Sequence, residues 1–549
     1  MLILVDSMVH AFSQELVLDG RTCPDPGDLL SALPPPLTWA PAARPRTVGR
    51  AWLDTFDWRL YRAGLTLELR TAAGRAELML SGPDGSRITA PAGHGRWPRL
   101  AGSLPPGELR ERLGPVTGHR ALIQVARGAS TVREVRVLND DHKTVAWLAI
   151  DQISVNQPEQ ADLPARLTVR AVRGYQAEAE QAVAALTGAA ATQAPPVLAA
   201  VLAPAGQRPG SYSSKVEVRL TAGMPATAAV AAVLLRLLDT FDANLAGTIR
   251  ATDTEFLHDL RVSVRRTRSA LKLAGDVLPP GLADRFQPEF KWLGDLTTPT
   301  RDLDVYLLGF DAMAAGLAAA APGELRPFRS YLARRRAAAR RRLLRGLRSE
   351  RLATLRQEWR AALTALAPGG PSPQAGTPSP SPGTPSPRAG RARGAAEAAP
   401  AIGEFAAARI ARAHRKVLKR GGAITLESPP ESLHDLRKRC KELRYLLEFF
   451  ASLHEPAAHQ RVLRQLKGLQ DCLGEFQDTQ IQQHEIRAAA AQMMKRPGTP
   501  ATALLAMGEV AAGVAARERA ARADFAGRFA DFAAAGTQRR VRALTGAAA

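Results

Sequence analysis

A stripe of basic residues recurs at helical spacing in the second half of the chain. Intervals of three and four residues place side chains on one face of an α-helix. Like charges at these intervals repel by about 0.2–0.5 kcal/mol per pair, so the stripe gives a helix no structural benefit by itself. A bound phosphate chain would offset the repulsion, because the guanidinium fork of arginine pairs with two phosphate oxygens. The stripe consists of His258, Arg261, Arg265, Arg268 and Lys272.

The stripe returns in a second copy further along the chain. When residues 258–302 are aligned without gaps to residues 434–478, 12 of the 45 positions are identical. Such a repeat predicts two homologous helical units. Because both copies keep the basic residues, we favour a binding function over a merely solvated helix face, although the histidines are equally compatible with packing. The second copy carries His434, Arg437, Lys441 and Arg444.

The elements that position these residues follow from the apolar pattern, which changes near residue 215. Before that point apolar and polar residues alternate, as in 64–70 and 131–137, which predicts half-buried strands. Beyond about residue 220 apolar residues recur three and four apart, which predicts amphipathic helices. Thr252 and Glu255 match a capping box before the first basic stripe. The sequence therefore predicts an α+β chain with a strand-rich half followed by a helical half.

Net charge points to a polyanionic partner. The 549 residues carry a formal charge of +22, of which residues 1–215 hold +3 and the remainder +19. Nucleic acid, an anionic membrane and a phosphate polymer would all suit such a chain. The arginine run at 334–342 circles a helix, and we interpret it as a solvated face in a chain whose arginine excess fits a codon bias.

Several classes of protein are excluded or disfavoured. Cys23, Cys440 and Cys472 form no CxxC pair, which excludes a disulfide scaffold and a cysteine-rich zinc site. We expect no spanning helix, because no stretch reaches 18 apolar residues without a charge. The first residues lack a basic n-region, so we expect no secretory signal and a cytoplasmic location.

At the duplicated stripe the sequence resembles the CHAD family, the conserved histidine α-helical domain, over about residues 220–535. The resemblance implies two four-helix bundles related by pseudo-twofold symmetry, with a basic central surface or pore that binds inorganic polyphosphate on polyphosphate granules. His258 and His434 match the namesake histidines. The resemblance is carried by HDLRVSVRRTRSALKL, KWLGDLTTPTRDLDV, HDLRKRCKELRYLLEFF and KGLQDCLGEFQDTQ. By position it implies binding roles for Arg261, Arg265, Arg268, Lys272, Arg285, Lys291, Arg437, Lys441, Arg444, Arg461 and Lys467.

The first half resembles the CYTH domain, the triphosphate tunnel fold, at residues 52–70 and 167–180. That resemblance covers about residues 10–205 and implies an antiparallel, barrel-like β domain that binds triphosphate with basic residues and a divalent metal with an ExExK motif. Only Glu15 of that motif remains, and Glu68 stands where a basic residue is expected. One glutamate cannot build an octahedral Mg²⁺ site, so we expect a catalytically inactive domain without a metal or cofactor. Mg²⁺ or Mn²⁺ would be needed only if this domain were active.

The domains follow from these patterns together with a segment rich in proline, serine and glycine, which we expect to be disordered. We expect a degenerate CYTH-like domain at 1–205, a linker at 206–219, a first helical bundle at 220–366, the disordered segment at 367–400 and a second helical bundle at 401–540.

The function that we expect is non-catalytic binding of polyphosphate, and two alternatives stay open. A metal-dependent triphosphatase would act through the first half. A nucleic-acid-binding protein is disfavoured, because aromatic residues are only 5% of the chain and the basic stripes carry almost none for base stacking. A membrane role is weakest, since the basic helices have no exposed Trp or Phe face.

Overall fold

The computed structural model of the chain describes residues 12–18, 25–189, 191–367 and 400–546. The chain divides into two compact units, Met1–Ser213 and Ser214–Ala549. The first unit is built on an antiparallel sheet and the second is helical, which confirms the predicted order of fold types. Cys23 and all but the end residues of the segment 367–400 lie outside the described residues, whereas Cys440 and Cys472 are buried free thiols.

The first unit contains one antiparallel sheet whose apolar faces form its cores. Both strand segments predicted from alternation are strands, and the second lies within the longest strand, which has 18 residues. The strands are β1 (Ser13–Leu18), β2 (Thr38–Pro41), β3 (Arg46–Thr55), β4 (Thr66–Ala72), β5 (Arg75–Ser81), β6 (Arg87–Pro91), β7 (Arg99–Leu100), β8 (Ala121–Leu138), β9 (Thr144–Gln157), β10 (Ala161–Asp162), β11 (Arg166–Ala171) and β12 (Ala191–Gln193).

The sheet order places β3 between β4 and β8. The main path runs β12-β1-β11-β9-β8-β3-β4-β5-β6, with β2, β7 and β10 paired beside it. Between β3 and β4, Trp52 pairs with Glu68 and Arg50 pairs with Arg70. This register brings polar side chains that are distant in sequence together on one face. The helices of this unit are α1 (Pro26–Leu30), α2 (Arg59–Arg62), α3 (Glu108–Thr117), α4 (Gln176–Ala189) and α5 (Val197–Leu202).

The second unit follows the duplication seen in the sequence. Each basic stripe lies on the second long helix of its half, at Thr254–Ala274 (α7) and Pro430–Phe449 (α13). The first half contains α6 (Ala226–Arg250), α7 (Thr254–Ala274), α8 (Leu282–Leu308), α9 (Phe310–Ala315), α10 (Arg326–Leu347) and α11 (Glu350–Thr364). The second half contains α12 (Ile402–Gly421), α13 (Pro430–Phe449), α14 (Pro456–Met494), α15 (Ala501–Ala533) and α16 (Ala535–Leu544).

The start of α7 differs from the predicted capping box. Asp253, not Thr252, is the N-cap residue, and its Oδ1 accepts from the backbone N–H groups of Glu255 and Phe256 at 2.9 and 3.1 Å. An ionised carboxylate at this position interacts more favourably with the helix dipole than a hydroxyl does. Prolines open α13, with Pro430 at its first position, where the missing N–H is not needed.

The apolar faces of α7 and α13 belong to one buried core. Leu257, Leu260 and Val264 of α7 are buried in it, as are Leu436 and Leu443 of α13. Burying each leucine contributes about 1.5–3 kcal/mol. α7 packs against α6 and α8, α13 packs against α12 and α14, and α7 contacts α13. The two basic stripes are therefore carried by adjacent helices that a shared core holds in place.

Candidate anion-binding site

Four cations from the two stripes lie close enough to influence one another, and all four are half-buried. Arg265 repels Arg261 and Arg437, and all three repel Lys441. The two copies thus bring their central basic residues together. We call Arg261, Arg265, Arg437 and Lys441 the central cluster.

Two members of the central cluster, Arg261 and Arg437, form contacts with the helix that follows their own. Arg261 donates to Thr298 Oγ1 at 3.3 Å and lies 3.9 Å from Asp302 on α8. Arg437 donates to Gln477 Oε1 at 2.6 Å and lies 3.4 Å from Asp478 on α14. The two aspartates occupy equivalent positions in the aligned copies. Each arginine is therefore oriented by one carboxylate, which leaves part of its guanidinium group for another partner.

Arg265 and Lys441 have no carboxylate within ion-pair distance among the described residues, although Asp478 attracts Lys441 from further away. Neither side chain forms an ion pair with any residue that the structure describes, and Arg265 Nε is buried there without a hydrogen-bond acceptor. Burial, together with repulsion from Arg437 and Arg265, lowers the pKa of Lys441 to about 8. Because burying an unpaired charge is costly, a bound anion would stabilise these two buried cations more than it would stabilise a cation in solvent.

The two histidines are uncharged at neutral pH. Burial, with Arg301 and two further arginines nearby, lowers the pKa of His258 to about 4. The pKa of His434 is also lowered, first by burial and then by Lys438. His434 Nε2 lies 3.1 Å from Nε2 of Gln477, the residue that also binds Arg437. The histidines can therefore serve as neutral hydrogen-bonding groups beside the cations but not as cations themselves.

The sequence reasoning missed two residues that support the histidines. Arg301 donates to the Thr254 carbonyl oxygen at 3.1 Å and to Glu255 at 3.3 Å, and its charge acts on His258. Gln477 occupies the aligned position in the second copy. Because Arg301 and Gln477 are different residues, a comparison that looks only for identical residues in the two copies does not find them. The shared polarity of the aligned pair was the available signal.

The remaining predicted residues are more exposed, and four of them have acidic partners. Arg285 pairs with Glu358 of α11 at 2.7 Å, and Lys291 lies 3.6 Å from Asp295 on its own helix. Arg268, Arg461 and Lys467 are exposed and form no ion pair within the described part of the chain. The other two pairs are Lys272 with Glu442 at 2.8 Å and Arg444 with Glu448 at 2.6 Å.

Comparison with known families accounts for the duplicated helices. The family model "CHAD domain" matches residues 232–487, a span that includes both basic stripes. Residues 232–487 are a CHAD domain.

Solved structures include CHAD domains among those similar to this chain. The CHAD domain from the plant Ricinus communis is 24% identical, with 61% of this chain and 96% of that chain covered and a TM-score of 0.42. PptA from Streptomyces chartreusis is 17% identical, with 56% and 99% covered and a TM-score of 0.42. A candidate adenylate cyclase from Bacillus halodurans is 11% identical, with 29% and 91% covered and a TM-score of 0.20. At these TM-scores the similarities carry no functional information. Among curated protein sequences nothing matches.

Ion pairs between α7 and α13 fix the two stripes of the CHAD domain relative to each other. Arg266 donates to Glu448 at 2.7 Å, and both side chains are at most 16% exposed. The Lys272–Glu442 pair lies between the same helices at their more exposed surface. These pairs use Arg266 and Lys272, neither of which belongs to the central cluster.

Carboxylates also border the central cluster of the CHAD domain. Burial raises the pKa of Asp302, while Arg261 opposes the shift and Glu485 and Asp478 add to it. Glu485 in turn accepts from Arg335 of α10 at 2.9 Å. The acidic groups therefore approach the cations from α8 and α14, and they mark that edge of the cationic surface.

The sheet unit contains a buried network of opposite charges that includes Glu68. Its carboxylate accepts from Arg50 at 2.5 Å, from Arg70 at 2.8 Å and from the Trp52 indole N–H at 3.0 Å. Arg50 also donates to Asp151 at 2.5 Å. Burial opposes ionisation of Glu68, but Arg50 and Arg70 outweigh it and lower its pKa. The glutamate thus occupies the donors that an anionic ligand would need.

Glu15, the remaining residue of the ExExK motif, is also paired. It accepts from Arg166 of β11 at 2.8 Å. Within the described residues no group of three His, Cys, Asp or Glu side chains could hold a metal ion. Of the helices that the structure describes, none is long and apolar enough to cross a membrane.

Proposed function

We propose that this chain is a non-catalytic inorganic polyphosphate-binding protein and that the central cluster is its primary site. The observation that supports the proposal is the position of Arg265 and Lys441, which are half-buried among other cations and form no ion pair within the described residues. A linear phosphate polymer supplies closely spaced oxygens to several such groups at once. The surrounding bundles would span 220–366 and 401–540, with more exposed residues of the stripes extending the contact.

Charge reversal at the centre tests the proposal. Arg265→Glu combined with Lys441→Glu should abolish capture of the full-length chain by long-chain polyphosphate, since each reversal removes one attractive contact and adds a repulsive one. Arg110→Glu with Arg112→Glu is the matched control, because both residues are exposed on α3 and the net charge changes equally. Circular dichroism should show that both variants keep their helices. Unchanged capture of the central variant would contradict the site.

Salt and competition separate polyphosphate from nucleic acid. Affinity should fall as the salt concentration rises, because binding releases counterions from the polymer. Single-stranded DNA at the same phosphate concentration should not displace bound polyphosphate, because the stripes offer almost no aromatic surface on which its bases could stack. Displacement by DNA would favour the nucleic-acid alternative.

We infer that the CYTH-like sheet unit does not hydrolyse triphosphate. The charge pairing of Glu68 with Arg50 and Arg70, and of Glu15 with Arg166, supports this inference. Tripolyphosphate incubated with Mg²⁺ or Mn²⁺ should release no phosphate above background. Release that is lost in Glu15→Ala would establish the triphosphatase alternative.

We also propose a cytoplasmic location on polyphosphate granules, which rests on the proposed binding of polyphosphate. A fluorescent fusion of the full chain should coincide with granules stained for polyphosphate, and Arg265→Glu with Lys441→Glu should disperse it. A diffuse signal of the unaltered fusion in granule-containing cells would contradict this location.

A further inference from the structure

Helix α10 carries a second basic surface that is separate from the two stripes. No acidic residue occurs between Arg326 and Arg348, although this span is rich in arginine. Three of those arginines bind neighbouring helices and form an inner set, and four exposed ones lie along one face and form an outer set. Arg326, Arg329 and Arg342 are exposed as well but lie off that face.

The inner arginines are bound to neighbouring helices. Arg336 donates to the buried carboxylate of Asp304, and Arg335 donates to Glu485. Arg340 donates to the Ile249 carbonyl oxygen at 3.0 Å, at the end of α6. These contacts stabilise the packing of α10, so this part of the run has a structural function.

The outer arginines form one line along the helix. Their positions are separated by seven, four and three residues, which places them within a narrow sector at 100° per residue. All are exposed, and none forms an ion pair within the described ranges. The line is about 21 Å long, at 1.5 Å per residue. We call Arg334, Arg341, Arg345 and Arg348 the α10 line.

One series of contacts connects α10 with the central cluster. Arg334 precedes Arg335, whose partner Glu485 also acts on Asp302, and Asp302 pairs with Arg261 of the cluster. A polymer that extends from the cluster to the line would pass Asp302 and Glu485. Because the carboxylates of Asp302 and Glu485 are paired with arginines, they oppose its passage less than free carboxylates would.

We propose that the α10 line is a secondary polyphosphate-binding surface that engages only chains long enough to extend beyond the central cluster. This inference rests on the proposed function of the central cluster. Residues 334–348 contain no aromatic side chain, which favours a polymer made of phosphate alone over one with bases to stack. Binding of the second segment of one chain is intramolecular, so four weak contacts increase the affinity for long chains markedly.

The test compares short and long polyphosphate on the full-length chain. The variant replaces all four residues of the α10 line by glutamine, which has a helix propensity similar to that of arginine and should leave the exposed helix intact. For long polyphosphate the affinity should fall about 100-fold near physiological salt, and the slope of log K against log salt should become shallower by about 3. For tripolyphosphate, which is too short to occupy the cluster and the line together, both quantities should stay unchanged.

Two control variants complete the experiment. Arg→Lys at the four positions of the α10 line keeps the charges and should restore most of the long-chain affinity. The matched charge control replaces four exposed arginines of the sheet unit by glutamine and should bind both polymers like the unaltered chain. Its substitutions are Arg75→Gln, Arg87→Gln, Arg110→Gln and Arg112→Gln.

Each outcome distinguishes the two proposals. Both proposals would be supported by two results together. Arg265→Glu with Lys441→Glu should lose affinity for short and for long polyphosphate, and the α10 variant should lose affinity for long polyphosphate alone. Unchanged long-chain affinity of the α10 variant would overturn the secondary surface and leave the central site standing. If the α10 variant lost affinity for DNA but kept its affinity for long polyphosphate, the line would be a nucleic-acid-binding surface and the inference would be wrong. Failure of the unaltered chain to bind either polymer would overturn both proposals.

Discussion

If polyphosphate binds at the central cluster as proposed, Lys441 should make the affinity depend on pH. Burial and the nearby Arg437 and Arg265 lower the pKa of its ammonium group to about 8. An anion bound against the ammonium group favours the charged form and raises the pKa again. Binding therefore takes up a proton near pH 8. Affinity is highest below the pKa of the free protein and falls as the pH rises through it.

The size of the effect follows from the two pKa values. If the bound polymer restores the ordinary value of 10.5, affinity should be about tenfold weaker at pH 9 than at pH 7, a difference of about 1.4 kcal/mol. His258 and His434 do not contribute, because both have lowered pKa values and are already neutral at pH 7. The arginines stay charged throughout this range.

Isothermal titration calorimetry at constant ionic strength measures this effect. At pH 8, titrations in two buffers of different ionisation enthalpy should show uptake of about half a proton per binding event. Lys441→Arg should bind with an affinity that does not change between pH 7 and pH 9, because its guanidinium group does not titrate there. A constant affinity of the unaltered chain, or an unchanged pH dependence in Lys441→Arg, would refute the reasoning.

Two further predictions concern the buried ion pairs. Glu68→Gln leaves Arg50 buried with one carboxylate partner and should lower the free energy of unfolding of the sheet unit by about 3 kcal/mol. Urea denaturation measures this change. As a control, Glu134→Gln removes a more exposed pair and should lower the free energy of unfolding by at most about 1 kcal/mol. Because the pKa of Glu68 is lowered, its stabilisation is present above the ordinary glutamate pKa and is lost as pH falls through the folded value, and Glu68→Gln should not show that loss. Glu448→Gln leaves Arg266 buried between α7 and α13 and should destabilise the helical unit by about 3 kcal/mol. Equal stability of Glu68→Gln and Glu134→Gln, or an unchanged unfolding midpoint of Glu448→Gln, would show that these pairs are not net stabilising.

Local sequence patterns predicted the fold types of the two units. Period-two alternation identified strand segments that lie in β4 and β8, and the spacing of apolar residues identified α6, α7 and α13. These patterns depend on which face of an element is buried, and the order of apolar and polar residues along the chain specifies that face. The N-cap of α7 was misassigned by one residue, because Thr252 and Asp253 are both competent caps and only the backbone conformation selects one.

The sequence alone also determined that two copies of a basic stripe exist and that their central residues are equivalent. It could not determine which of the basic residues would have acidic partners. The partner of Lys272 is Glu442, 170 residues away, and that of Arg285 is Glu358, 73 residues away. Such pairs depend on how helices pack, and the lowered pKa of Lys441 depends on how much water that packing removes. Tertiary structure therefore decided which cations are left to bind an external anion, because charge compensation and desolvation act through space and not along the chain.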